Sequence, residues 1–390
     1  MTKGELDIPA PRHSIEVQRA QDRINSLEAL RGIAAIMVLI SHLASLTYNP
    51  VLGETSSYVM ERIAWELGAP AVDLFIVLSG YVVALSWMRS EKHGTTSFFK
   101  RRLIRLMPIY WASLAVAIFL WVFSQGAQDA VSQSATLTLY SQPLELESIL
   151  ANVFPLMVNY GQIVLNAPWW TLHIEIWGML ITPWLIILAR NNLPRTIALS
   201  IIGIASFEYL VSPLLSYNQN FLLLLGIVAG AIAAVTKDKW LALPADKPII
   251  AILVAVCLFT ISIFIRTAGL GDQIILSGAD RIIGMAGSLV LVMLMASMQA
   301  RRKKYRTNKI AVWLGQISYP LYVLHYPIIM SLATMAMSQG LSLGEAQALC
   351  ISIAPLIILI SFGTYHLLDK HAIKRSRKVS ESMTKMLSYP

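Results

Sequence analysis

Residues 27–43 read LEALRGIAAIMVLISHL. Arg31 opens an apolar run, and His42 lies eleven residues on, still inside it. About twenty predominantly apolar residues suffice to cross a bilayer as a helix. Ionisable side chains are expensive there, so a functional role is their default reading. Eleven residues cover roughly 16 Å of helix, and three turns plus about 20° return the second side chain to the face of the first. The pair predicts a polar stripe from the membrane rim towards its middle, with one catalytic cavity running along it. The structural alternative is an arginine that snorkels as an anchor and a histidine bonded to a neighbouring helix.

The composition agrees with this local reading. Of 390 residues, 56% are hydrophobic and 14% are charged, whereas a soluble domain carries about 25% charged residues. The expected class is an all-α integral membrane protein. Ten spans are predicted, at about 32–49, 70–88, 107–124, 169–189, 196–213, 219–236, 248–266, 280–299, 311–336 and 345–367. Lysines and arginines cluster in alternate connections, and the stretch 125–168 contains neither. Positive-inside bias then puts both termini in the cytoplasm. The net charge of +9 is a topology signal on this reading, and no nucleic-acid partner is expected.

Residues 1–26 are polar and lack the apolar core of a signal peptide. They form an expected cytoplasmic tail before a membrane domain over 27–368. A second tail follows over 369–390, and no appended soluble domain is expected. Residues 144–166, interrupted by Pro155, Asn159 and Gly161, read as a re-entrant or interfacial segment on the outer side. Cys257 and Cys350 both fall in apolar runs, so neither a disulfide framework nor a thiolate metal site is expected.

Polar residues recur inside the predicted spans. AVDLFIVLSGYVV (71–83) contains Asp73, Ser79 and Gly80. Asp73 reads as a helix-start charge near the outer edge; Gly80 would admit close helix contact, and Ser79 would bond a backbone carbonyl. PWWTLHIEIWGML (168–180) places Thr171 and Glu175 on one face, with His173 off it. Its tandem tryptophans read as an interfacial belt. ISYPLYVLHYPI (317–328) puts Ser318, Tyr322 and His325 on one face, with His325 in the outer part of its span. In FFKRRLIRLMPIYW (98–111), Arg102 and Arg105 are three apart just below the third span. Paired guanidiniums hold phosphate through several N–H donors. An ordinary positive-inside cluster is the alternative.

These five stretches, in this order, resemble the membrane acyltransferase 3 family over about residues 24–368. That family includes bacterial O-antigen, exopolysaccharide and Nod-factor O-acetyltransferases. The resemblance implies a multi-pass protein of the bacterial cytoplasmic (inner) membrane that takes acyl groups, acetyl foremost, from cytosolic acyl-CoA, without a metal. It implies that His42 is the essential histidine, with Arg31 its partner in the motif, and that Arg102 and Arg105 meet the CoA phosphates. Ser79, Gly80 and Tyr81 match the family's Ser-Gly-aromatic motif, of which Ser79 and Gly80 are candidates for donor binding. Trp170, Thr171 and Glu175 match a Trp-Ser-Leu-x-x-Glu pattern, in which Thr171 replaces serine and keeps the hydroxyl. Ile176 replaces a common second glutamate, so no carboxylate pair is available there. Asp73, Tyr81, Trp170, Thr171, Ser318, Tyr322 and His325 are candidates for substrate contact or helix networking. The implied acceptor is a glycan or lipid-linked saccharide, with membrane lipid and a second copy of the chain as further candidate partners.

Chemistry and resemblance meet in one expected mechanism. Transfer to a hydroxyl needs a base, and histidine, with an ordinary pKa near 6.5, suits the task. Glu175 would orient the His42 imidazole if the fourth span packs against the first. A multi-span transporter would share the span count and intramembrane charges, but it calls for gating without CoA turnover and often for inverted halves. A non-catalytic scaffold would tolerate the loss of His42.

Overall fold

The computed structural model describes residues 12–48, 59–124, 137, 144–154, 165–211, 221–241, 248–267, 278–300 and 308–387. Among them every regular element is helical, as lipid requires of a chain whose backbone groups must be satisfied within each segment. The helices are α1 (Arg12–Ala44), α2 (Val59–Glu66), α3 (Gly68–Ser90), α4 (Gly94–Ser124), α5 (Leu146–Ala151), α6 (Trp169–Asn191), α7 (Leu193–Ser206) and α8 (Leu224–Val235). They continue with α9 (Lys237–Leu241), α10 (Pro248–Thr267), α11 (Ala279–Ala300), α12 (Lys309–Gln316), α13 (Ser318–Ser338), α14 (Leu343–Ser352), α15 (Ala354–Thr364) and α16 (Lys370–Leu387).

Among the described residues, eight helices or joined helices are long and apolar enough to cross a membrane. Two of the ten predicted spans differ. The sixth is a shorter apolar helix at Phe221–Val235, and the last is α14 and α15 bent by 46° at Ile353. The predicted ninth span, 311–336, is divided at Ile317 into α12 and α13. The third begins earlier than its apolar run, because α4 extends back to Gly94 and carries the basic residues within the helix. Of the predicted re-entrant segment, the short α5 with its flanks and residues 165–166 are described; residues 155–164 lie outside the described residues.

Local caps match the sequence. Asn192 accepts from the Arg195 amide at 3.0 Å ahead of α7, and Ser342 with Glu345 forms a capping box at α14.

The core sits around α3, which packs on α1, α6, α8 and α11. Lipid offers little hydrophobic contrast between helices, so close packing of small residues decides which faces meet. Gly80 on α3 and Gly230 on α8 each face the other helix's backbone; a Cβ on either would come within 3.0 Å of Ile227 O or Val77 O. Gly32 on α1 and Gly315 on α12 make the same reciprocal approach. α10 packs on α11 and exposes Ile249, Leu253, Val256 and Phe264, the apolar surface expected of a helix at the lipid boundary. α13 is buried between α1, α4, α14 and α15.

Candidate active site

Five helices bring polar residues to one cavity. It has a volume of about 90 Å³ and is lined by Arg31 of α1, Phe75 and Ser79 of α3, Arg102 and Arg105 of α4, Thr171 and Glu175 of α6, and Ser318, Tyr319 and Tyr322 of α13, five helices in all with α1 at the rim. The shared face expected for Thr171 with Glu175 lines it, and of the face expected for Ser318, Tyr322 and His325 the first two line it and His325 does not.

Hydrogen bonds between helices tie the cavity walls together. Ser79 Oγ donates to Glu175 Oε1 at 2.7 Å, joining α3 to α6. Thr171 Oγ1 and the Tyr322 hydroxyl lie 2.6 Å apart, joining α6 to α13. Ser79 thus bonds a carboxylate rather than a backbone carbonyl. Ser318 donates to Gly315 O at 2.7 Å. Tyr319, which the sequence reading passed over, donates its hydroxyl to Leu106 O at 2.9 Å; its place three residues before Tyr322 on the same helical face was the available signal.

Arg31 and His42 do not line one cavity. Arg31 reaches the cavity and pairs with Glu28 at 3.5 Å. His42 packs against two rings of α13, those of His325 and Tyr326, with both pairs of centroids 5.1 Å apart. Its Nδ1 is buried without a hydrogen-bond partner among the described residues. Tyr322 lines the cavity, and its ring lies 6.2 Å from that of His325. The stripe that helix periodicity drew thus reaches the cavity at Arg31 and rings of α13 at His42. Glu175 does not orient His42 either: its hydrogen bond goes to Ser79 of α3. His325 gives its Nδ1–H to Leu321 O at 2.8 Å, since the carbonyl can only accept, and its Nε2 is buried without a partner among the described residues.

Other predicted residues lie elsewhere. Gly80 is spent on the contact with α8 rather than on a donor site. Tyr81 lines a second, larger cavity. Trp170 packs partly buried against the core. Its neighbour Trp169 is wholly buried on Tyr110, with ring centroids 4.8 Å apart, so the tryptophan pair is core rather than interfacial belt. His173 lies off the cavity face and accepts from Trp177 Nε1 at 2.9 Å. Asp73 is fully buried, not a helix-start charge at the edge; Arg281 of α11 approaches it at 3.5 Å. Arg266 of α10 is ion-paired to Glu66. These last two pairs join helices distant in sequence, and neither was visible from the sequence.

Against this geometry stands a family comparison. An acyltransferase-domain profile matches residues 24–366. The chain belongs to the acyltransferase 3 family. Among curated relatives it is 25% identical to the exopolysaccharide production protein ExoZ of Rhizobium meliloti, over 80% of this chain and 91% of that protein. It is 26% identical to the O-acetyl transferase of Shigella phage Sf6, over 40% of this chain and 44% of that one. It is 30% identical to acyltransferase MdmB of Streptomyces mycarofaciens, over 24% of this chain, and the match spans 23% of MdmB. No solved structure matches the chain. In this acyltransferase, the stretches that carried the resemblance supply Arg31, Ser79, Arg102, Arg105, Thr171, Glu175, Ser318 and Tyr322 to one cavity. His42 is not among the lining residues and packs on His325 and Tyr326.

Proposed function

We propose that this acyltransferase moves an acyl group, acetyl in the first instance, from cytosolic acyl-CoA to a hydroxyl of a glycan or lipid-linked saccharide. The observation that carries the reading is the cavity itself: three guanidiniums, of Arg31, Arg102 and Arg105, face the same small space as the Ser79–Glu175 and Thr171–Tyr322 pairs. Guanidiniums suit a phosphate-bearing donor. The neutral hydroxyl-lined half suits a thioester. The relatives named for O-acetyl transfer and exopolysaccharide production support the acceptor class.

His42 acts as the general base. It takes the acceptor's hydroxyl proton, the freed oxygen attacks the thioester carbonyl, and the C–S bond breaks. The departing CoA thiolate then receives the proton, which returns His42 to its neutral form. Tyr322 lines the cavity beside His325, the ring on which His42 packs, so the acyl carbon must pass these α13 rings to reach the hydroxyl held at His42. Glu175 is a positioning residue: it fixes Ser79 and adds a negative charge beside the arginines. Both termini lie in the cytoplasm, with α14–α15 and the short α8 completing ten crossings, of the bacterial inner membrane.

Purified protein in neutral-lipid nanodiscs tests this with acetyl-CoA and a lipid-linked saccharide, reading thiol release and acylated product. Stoichiometric appearance of both is expected. CoA binding without either product, for every hydroxyl acceptor offered, would leave the transporter or scaffold in its place.

A further inference from the structure

A larger cavity of about 440 Å³ adjoins the small one. The two share Val82, Arg102 and Arg105. Cations dominate the larger space: Arg89, Arg101, Arg102, Arg105 and Lys237 line it against one carboxylate, Glu28. They come from α3, α4 and α9, so the cluster is assembled by folding rather than by one basic run.

Arg101 is the informative member. It is only 8% exposed. Its Nη1 donates to buried Ser97 at 2.6 Å, and its Nη2 is buried with no partner among the described residues. A buried donor without an acceptor costs free energy. An anion in the cavity would remove that cost, and Arg101 lies one turn from Arg105, which faces both cavities.

We propose that the larger cavity binds the 3′-phosphoadenosine end of the acyl-CoA donor, with Arg101 and Lys237 as ligands of the 3′-phosphate. This rests on the acyl-CoA reading above. Arg102 and Arg105, at the junction, hold the diphosphate. The neutral pantetheine arm passes between them into the small cavity, where the thioester meets the hydroxyl-lined wall. The order of charge along the two cavities follows the order of charge along the donor.

Calorimetric Kd values for CoA and for 3′-dephospho-CoA, on full-length protein in neutral-lipid nanodiscs, test the assignment. Wild type is expected to bind CoA more tightly than 3′-dephospho-CoA. Arg101→Gln and Lys237→Gln should each weaken CoA by roughly tenfold, the scale of one charge-assisted hydrogen bond, and leave 3′-dephospho-CoA within about twofold. Retained binding of 3′-dephospho-CoA shows that each variant is folded. Equal loss for both ligands, or no loss for either, would overturn the 3′-phosphate site while leaving the donor reading intact. Wild type that binds neither ligand would overturn the donor reading and this site together. A phospholipid headgroup shares the phosphate chemistry; if it were the occupant, anionic lipid would compete with neither CoA species, and the variants would change lipid retention alone.

Discussion

The rings of His42 and His325 meet edge to face, with centroids 5.1 Å apart and planes at 89°. They come from α1 and α13, and each keeps one ring nitrogen buried without a partner among the described residues, Nδ1 of His42 and Nε2 of His325. The two imidazoles differ in one respect. His325 is held by Leu321 O, whereas the contacts described for His42 are to rings.

His42→Ala should lower turnover by about 10²–10⁴-fold, the usual range for a lost general base, while CoA still binds. His325→Phe keeps a ring in the edge contact and removes both nitrogens; it should hold the melting temperature near wild type. Specific activity and melting temperature are to be measured on the same purified protein. A folded His42→Ala protein with wild-type specific activity would falsify the base assignment.

The Ser79–Glu175 pair predicts a split between binding and rate. Glu175→Gln removes a negative charge beside the arginines, so CoA affinity should hold or rise. Turnover should fall, because the acceptor that fixes Ser79 is weakened. Ser79→Ala leaves a carboxylate oxygen without its donor and should cost about 1–3 kcal/mol of stability. Separate Kd and rate measurements check this; weaker CoA binding by Glu175→Gln would contradict the charge argument.

Gly80→Ala and Gly230→Ala should each reduce stability by about 1–3 kcal/mol or prevent folding, since the added methyl meets backbone of the facing helix. Gly203→Ala on α7 meets nothing within 4 Å and serves as the control. Thermal unfolding of the three in one detergent should rank Gly203→Ala level with wild type and the other two well below it.

Arg281→Met should destabilise by about 3 kcal/mol, because it leaves the fully buried Asp73 carboxylate without its ion-pair partner. Asp73→Leu with Arg281→Met removes both charges and should recover most of that loss. If the double variant melts no higher than the single one, the pair is more than a tie between α3 and α11.

Residue chemistry and helical faces were legible along the chain. Apolar runs of bilayer length made the helices unavoidable, because lipid leaves the backbone no other partner. The spacing of Thr171 and Glu175, and of Ser318 and Tyr322, marked faces that do line the cavity. The motif order pointed to the family. What tertiary structure decided was which faces meet. Glu175 found Ser79, 96 residues away, rather than His42. Trp169 turned inward onto Tyr110, and Arg101 and Lys237 came to one cavity from different helices. In a span that is apolar nearly all round, hydropathy does not say which side faces a neighbour. That choice belongs to the close approach of small residues such as Gly80 and Gly230 and to the few polar pairs that packing allows, and both require the partner helix to exist before they can be read.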